Sequence, residues 1–170
     1  MPEHDTSASG GRIRIERTYD ASAETIWKLW TTADGIETWW APDGFSVKVQ
    51  KLELEPGGEL VYTMTASAPE QVEFMRRAGM PLATESRKTF IEVKSPSRLA
   101  YTSLVDFVPD HKPYEFLTVV ELEETGGRTL VVMTVERMHD DVWTGRLVAG
   151  RENELANLGR VIAAARGSRQ

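Results

Sequence analysis

The sequence predicts an α+β domain in which a curved antiparallel sheet of about seven strands wraps around one long C-terminal helix. Apolar and polar residues alternate in short segments from residue 45 to residue 136, which is typical of half-buried strands. Helical spacing of apolar residues appears directly after the first strand and again, over a longer stretch, at the end of the chain. The order is therefore one strand, two short helices, a run of strands and a long helix.

The N-terminal part contains a leader, a strand and two helices. Residues 1–11 are small and polar, which predicts a flexible leader before a single domain over residues 12–168. The segment IRIERTYD alternates and predicts the first strand. Ser22 is suited to cap the first short helix and Thr32 the second, which ends before Pro42.

The middle of the chain is predicted to be strands with one helical insertion. The strand that begins at Phe45 and the segment ELVYTM form a hairpin around Pro56-Gly57-Gly58. Residues 67–87 lack alternation and contain a helical stretch that begins at Pro69. Strands are expected to resume at Thr89 and to continue until the last helix.

The last helix is predicted from Asp140 or Asp141 to about Arg166. Trp143, Leu147 and Leu155 fall on one face of it. At 1.5 Å per residue the helix is roughly 35–40 Å long, enough to cross a small sheet.

Composition excludes several classes of protein. The chain has 170 residues, of which 41% are hydrophobic and 27% charged, and its net charge is −6. An acidic chain repels polyanions, so we expect no nucleic-acid partner. No cysteine is present, which excludes disulfides and thiolate chemistry. No apolar run is long enough to span a membrane, so we expect no membrane insertion and a cytoplasmic location.

The sequence shows no recognisable catalytic constellation. The motifs of serine hydrolases, P-loop proteins and dinucleotide-binding proteins are missing. The histidines are His4, His111 and His139, and His139 precedes two aspartates that suit a helix cap better than a metal site. We therefore predict no metal and no cofactor, and we favour a binding protein over an enzyme.

Several motifs resemble one family. The segments ASAETIWKLWTTADGIETWWAPDGF and LELEPGGELVYTM, followed by Pro96–Tyr101 and a long terminal helix, are similar to activator of heat-shock-protein-90 ATPase homologue-like domains. These belong to the START-like, birch-pollen-allergen-like (SRPBCC) superfamily. The resemblance covers roughly residues 12–165. It implies a helix-grip fold with a hydrophobic cavity between the sheet and the terminal helix, but no single function.

The candidate pocket residues are large apolar or aromatic side chains on the strands and the last helix. They are Trp39, Trp40, Tyr62, Met64, Phe90, Tyr101, Phe107, Phe116, Met133, Met138, Trp143 and Leu147, together with Arg151. The same apolar residues would also fill a dry core. Adjacent Trp39 and Trp40 diverge by about 100° on a helix, so we expect one of them to reach the cavity mouth or the surface.

Arg151 lies within the apolar stripe of the last helix. Its side chain either extends to water at the rim, pairs with Glu92 or Glu154, or anchors the carboxylate or phosphate of a greasy ligand.

The predicted function is binding of a small hydrophobic or amphipathic molecule in the internal cavity. The alternatives are a co-chaperone-like protein-interaction module and a cyclase- or hydrolase-type enzyme that uses the same cavity. The insertion is expected either to cover one end of the sheet as a lid or to pack against a second subunit in a homodimer.

Overall fold

The computed structural model describes residues 12–106 and 108–167. The predicted leader of residues 1–11, the end of the predicted domain at residue 168 and the candidate pocket residue Phe107 lie outside these ranges.

The described chain forms seven strands and four helices. In chain order they are β1 (Arg12–Tyr19), α1 (Ala23–Thr31), α2 (Ala33–Trp39), β2 (Phe45–Leu52), β3 (Glu59–Ala66), α3 (Pro69–Arg77), β4 (Ala83–Lys94), β5 (Arg98–Val105), β6 (Tyr114–Thr125), β7 (Arg128–Glu136) and α4 (Asp141–Gly167).

All strands belong to one antiparallel sheet in the order β1-β7-β6-β5-β4-β3-β2. The predicted α+β architecture is therefore confirmed. The alternation in β1 places Ile13 and Ile15 in the core. The predicted β2–β3 turn needs glycine, because a Cβ at Gly58 would lie 2.2 Å from the backbone oxygen of Glu53.

The predicted helix caps are confirmed by their hydrogen bonds. The Ser22 hydroxyl accepts from the Thr25 amide at 3.1 Å, and the Thr32 hydroxyl accepts from the Gly35 amide at 3.0 Å. Asp140 caps α4 by accepting from the Trp143 amide at 2.8 Å. The aspartates after His139 therefore serve the helix terminus.

The insertion is shorter than predicted. Helix α3 begins at Pro69 as expected, but β4 starts at Ala83 rather than at Thr89. The six additional residues pair with β3, from Thr65 opposite Ala83 to Leu60 opposite Lys88. The sequence pattern did not predict this strand extension, because Thr84, Glu85 and Arg87 are exposed and give no hydrophobic alternation.

The expectation for Trp39 and Trp40 was wrong, since each is only 1% exposed. Trp39 packs edge-on against Trp30 and donates its indole N–H to the Leu29 carbonyl at 2.8 Å. Trp40 lies just after the end of α2 and meets the Tyr62 and Tyr101 rings on the sheet. Helix α1 covers Trp39 and the sheet covers Trp40, and the two rings contact each other with their centres 5.0 Å apart.

The C-terminal half of helix α4 packs into the hydrophobic core. Leu155, Leu158 and Ile162 are buried in the same apolar cluster as the strand residues. The Tyr19 hydroxyl donates to the Leu155 carbonyl at 2.6 Å, and the Asn157 amide donates to the Ala41 carbonyl at 2.9 Å. Within the described ranges, no helix is both long and apolar enough to cross a membrane.

Replacing either tryptophan with alanine should test this packing. We expect Trp39→Ala and Trp40→Ala each to lower the free energy of unfolding by about 3–5 kcal/mol, because both leave large cavities in the core. Phe74→Ala is the control, since Phe74 is 64% exposed and its loss should change stability by less than about 0.5 kcal/mol. Urea denaturation measures all three, and a small effect at Trp39 or Trp40 would contradict the packing described.

Candidate functional site

A large cavity opens between the inner face of the sheet and the N-terminal half of α4. This outer cavity has a volume of about 940 Å³. Strand residues Met64 and Leu104 and the helix residue Trp143 line it, and Met75 and Met80 close one side from α3 and the loop after it. Most of this wall is apolar, so the outer cavity suits the hydrophobic part of a ligand.

A smaller pocket adjoins the outer cavity between β4, β5 and α4. This inner pocket has a volume of about 210 Å³, and both spaces share the wall residues Ser86, Arg87, Leu104 and Arg146. The inner pocket is more polar, because Lys88, Arg151 and Glu154 line it together with Ser103. The two spaces thus place an apolar chamber next to a charged one.

Lys88 lies on β4 with its side chain on the inner face of the sheet, and it is only 7% exposed. Its Nζ donates to the Ser103 hydroxyl on β5 at 2.9 Å. The same nitrogen is 5.6–5.9 Å from the ring centres of Trp40, Tyr62 and Tyr101. Ring faces attract a cation at this distance, so the aromatic residues partly replace lost water.

Burial and electrostatic repulsion both change the protonation of Lys88. Desolvation, followed by the charge of Arg151, lowers the pKa of Lys88 to about 7, against a smaller opposing effect of Glu154. Burial raises the pKa of the Tyr101 hydroxyl to about 12 and also raises the pKa of Tyr62. Near neutral pH, Lys88 therefore exchanges between charged and neutral forms while both phenols keep their protons.

Arg151 is 4% exposed and does not extend to water at the rim. Its guanidinium pairs with Glu154 at 3.2 Å and donates to the Thr118 hydroxyl at 3.2 Å. Glu92 instead pairs with Arg98 on the neighbouring strand. Of the alternatives for Arg151, the structure shows the pair with Glu154, and it also places the guanidinium in the wall of the inner pocket.

Part of this buried polar group has no hydrogen-bond partner within the described residues. The atoms concerned include Nε of Arg151, the Tyr101 hydroxyl and the indole nitrogen of Trp40. An unpaired buried donor costs about 1–3 kcal/mol, so these groups lower the stability of the fold.

Within the described ranges, the predicted pocket residues lie in three places: the outer cavity, the inner pocket and the core. Met64 and Trp143 line the outer cavity, and Phe116, Leu147 and Arg151 line the inner pocket. The remaining ones are part of the hydrophobic core or pack against it: Trp39, Trp40, Tyr62, Phe90, Tyr101, Met133 and Met138. Trp40, Tyr62 and Tyr101 nonetheless surround Lys88 from the core side.

Sequence reasoning missed Lys88 and its partner Ser103. Alternation counted back from Phe90, which is buried, places Lys88 on the same face of β4. That signal was available, but a lysine on a strand is normally exposed.

His111 and His139 form a separate group near the start of α4, while His4 lies outside the described residues. The His111 and His139 rings lie 4.3 Å apart, and Nδ1 of His139 is 2.7 Å from the Tyr114 hydroxyl. In the described part of the chain, no three potential ligands come together for a metal ion.

The pKa of Lys88 predicts a specific pH dependence of stability. The unfolded chain keeps this lysine protonated up to about pH 10, so between pH 7 and 9 it binds more protons than the folded chain and stability rises with pH. The free energy of unfolding should increase by about 2 kcal/mol over that range. Lys88→Met should remove this increase, whereas the exposed Lys94→Met should retain it. Urea denaturation at several pH values measures it, and an unchanged slope in Lys88→Met would contradict the burial of a titrating amine.

The fold is similar to that of several solved bacterial proteins. A protein from Arthrobacter aurescens has a TM-score of 0.74 and 17% identity, over 95% of this chain and 91% of that chain. A protein from Chromobacterium violaceum has a TM-score of 0.72 and 18% identity, over 89% of this chain and 96% of that chain. An Activator of Hsp90 ATPase homolog 1-like protein from Aeromonas hydrophila has a TM-score of 0.69 and 22% identity, over 91% of this chain and 93% of that chain. Identities this low establish the fold alone.

Among curated proteins, none matches the sequence significantly. Residues 20–153 match the family model described as "Activator of Hsp90 ATPase homolog 1-like protein". This match spans most of the chain and confirms the resemblance carried by the tryptophan-rich and glycine-rich motifs. The protein is therefore a member of the Activator of Hsp90 ATPase homolog 1-like family.

Proposed function

We propose that this protein binds a small amphipathic acid, with its apolar part in the outer cavity and its acid group in the inner pocket. The observation that carries this proposal is that a mostly apolar cavity of about 940 Å³ shares four wall residues with a pocket lined by two buried cations. Membership of a family whose fold implies a cavity supports it.

The outer cavity supplies the hydrophobic part of the affinity. Met64 and Leu104 from the sheet, Met75 from α3 and Trp143 from α4 would surround an alkyl chain or ring. Each methylene group buried there contributes about 0.8 kcal/mol. An apolar ligand of moderate length therefore gains enough to offset the entropy lost on binding.

The inner pocket supplies the preference for an acid. Glu154 neutralises Arg151, so a protonated Lys88 leaves one excess positive charge among the buried groups, and Arg87 and Arg146 also line the pocket. A carboxylate placed between these groups would accept charge-assisted hydrogen bonds, which are stronger than neutral ones.

The segment around α3 governs access in this proposal. Met75 and Met80 contribute to the wall of the outer cavity, while Phe74 remains exposed on the outside. This arrangement supports the prediction that the insertion covers one end of the sheet as a lid. A homodimer through Phe74 and a cytoplasmic location stay predictions, and analytical ultracentrifugation tests the first.

Substituting Arg151 should separate the acid preference from apolar packing. We expect Arg151→Met to weaken binding of decanoate by about 1.5–3 kcal/mol, because it removes hydrogen bonds to a charged group and leaves Glu154 unpaired. Binding of decanol should change far less. Arg160→Met is the control, since Arg160 is exposed and pairs with Asp43 away from both cavities. Isothermal titration calorimetry measures the affinities, and equal losses for acid and alcohol would contradict the acid site.

Acid binding should also depend on pH through Lys88. A bound carboxylate favours the protonated amine, so decanoate should bind with proton uptake and lose affinity as pH rises from 6 to 9. Decanol affinity should stay nearly constant over the same range. Calorimetry in buffers of different ionisation enthalpy detects the proton, and decanoate binding that does not change with pH would place the acid group elsewhere.

A further inference from the structure

We infer that the amine of Lys88 forms an imine with the ketone of a small oxo acid whose carboxylate is held beside Arg151. This inference deepens the proposed function and rests on it, because the acid group must reach the inner pocket. It adds a covalent step and a narrower ligand class. The arguments come from the position, protonation and surroundings of Lys88.

Lys88 lies in the wall of the inner pocket, and strand β4 holds its backbone opposite Ser103 on β5, which lines the same pocket. The Nζ–Ser103 hydrogen bond at 2.9 Å uses one N–H and holds the nitrogen beside a second wall residue. In the neutral amine the lone pair stays free for attack on a carbonyl carbon.

Burial and the charge of Arg151 favour a neutral amine at Lys88 near pH 7, against the smaller effect of Glu154. Arg151 and Glu154 approach from α4, Tyr62 from β3 and Tyr101 from β5. Burial and Arg151 lower the pKa of Lys88 to about 7, so about half of the molecules carry a free amine at that pH. Desolvation next to a second cation is an established means of activating a lysine nucleophile.

The pocket also matches the size and charge of an oxo acid. Its volume of about 210 Å³ corresponds to the space of about seven water molecules, at about 30 Å³ for each. Arg151 lines it, so a carboxylate in the pocket would lie beside a guanidinium. A ketone close to that carboxylate would be presented to the amine of Lys88.

The reaction requires no oxidant or metal. The nitrogen of Lys88 attacks the carbonyl carbon, the carbonyl electron pair moves to oxygen, and the nitrogen transfers a proton to that oxygen. The nitrogen lone pair then forms a carbon–nitrogen double bond as the carbon–oxygen bond breaks. The hydroxyl takes one proton from solvent and leaves as water, and a protonated imine remains. The positive charge of this imine lies beside the faces of Trp40, Tyr62 and Tyr101, which would stabilise it.

Reductive trapping tests this inference. The full-length protein is incubated at pH 7 with pyruvate and sodium cyanoborohydride, which reduces a protonated imine to a stable amine. Trypsin does not cleave after an alkylated lysine, so modification of Lys88 leaves a peptide over residues 88–94 that mass spectrometry identifies. We expect labelling of this peptide to exceed that of the exposed lysines by at least about tenfold, given their smaller fraction of free amine.

Three comparisons make the result specific. Lys88→Met should lose the label, whereas Lys94→Met should label residue 88 as the natural chain does. Arg151→Met should reduce labelling by pyruvate much more than labelling by acetone, which lacks a carboxylate. If Lys88→Met does not fold, the rate of labelling at Lys88 in the natural chain is measured as a function of pH and serves as the test. The midpoint of that pH profile should lie near pH 7 rather than near pH 10.

The outcomes separate this inference from the proposed function. Labelling spread evenly over the exposed lysines, or no labelling of residue 88, overturns the imine. If decanoate still binds the same preparation, only the covalent step fails. If decanoate does not bind and residue 88 is unlabelled, both proposals fail.

Discussion

The structure depends on covering one face of a seven-stranded antiparallel sheet. Helix α4 covers that face, but its two halves do so differently. In the C-terminal half, Leu155, Leu158 and Ile162 fill the interior together with strand side chains. In the N-terminal half, Trp143 and Leu147 are only partly buried and border open space. The same helix thus closes the core at one end and leaves a cavity at the other.

The tryptophans explain why the cavity stays at one end. Trp30 makes edge-to-face contacts with Trp39 and Trp40, and the Trp39 and Trp40 rings pack at a tilt, where α1 and α2 meet the sheet. Large aromatic side chains fill volume efficiently, so this end of the sheet is closed. Lys88 marks the boundary, because aromatic rings surround its amine on the core side while the inner pocket lies on the other.

Two buried cations at this boundary are energetically demanding. A buried ion pair seldom recovers the full cost of desolvation, and Glu154 balances only Arg151. Lys88 lowers the cost by losing its proton near neutral pH and by donating to Ser103. A hydrophobic residue at either position would pack without this cost. The burial of Lys88 and Arg151 therefore lowers the stability of the fold at a pocket. Functional groups with altered pKa values are commonly found in such places.

Local patterns in the sequence determined the architecture and the helix ends. Alternation located the strands, and Ser22, Thr32 and Asp140 marked helix starts because a cap depends only on neighbours within one turn. Family motifs added the helix-grip arrangement. Local patterns failed where several elements meet: the burial of both Trp39 and Trp40 required helix α1 on one side and the sheet on the other.

The tertiary structure alone decided the site. The sequence placed Arg151 on the apolar stripe of the last helix, but its pairing with Glu154 and Thr118 depended on where α4 crosses the sheet. Lys88 is distant from Arg151 in the chain, and its altered pKa results from burial and from that neighbour. Burial and charge–charge distances are properties of the packed chain. Secondary structure could therefore be predicted from the sequence, whereas the chemistry of the pocket could not.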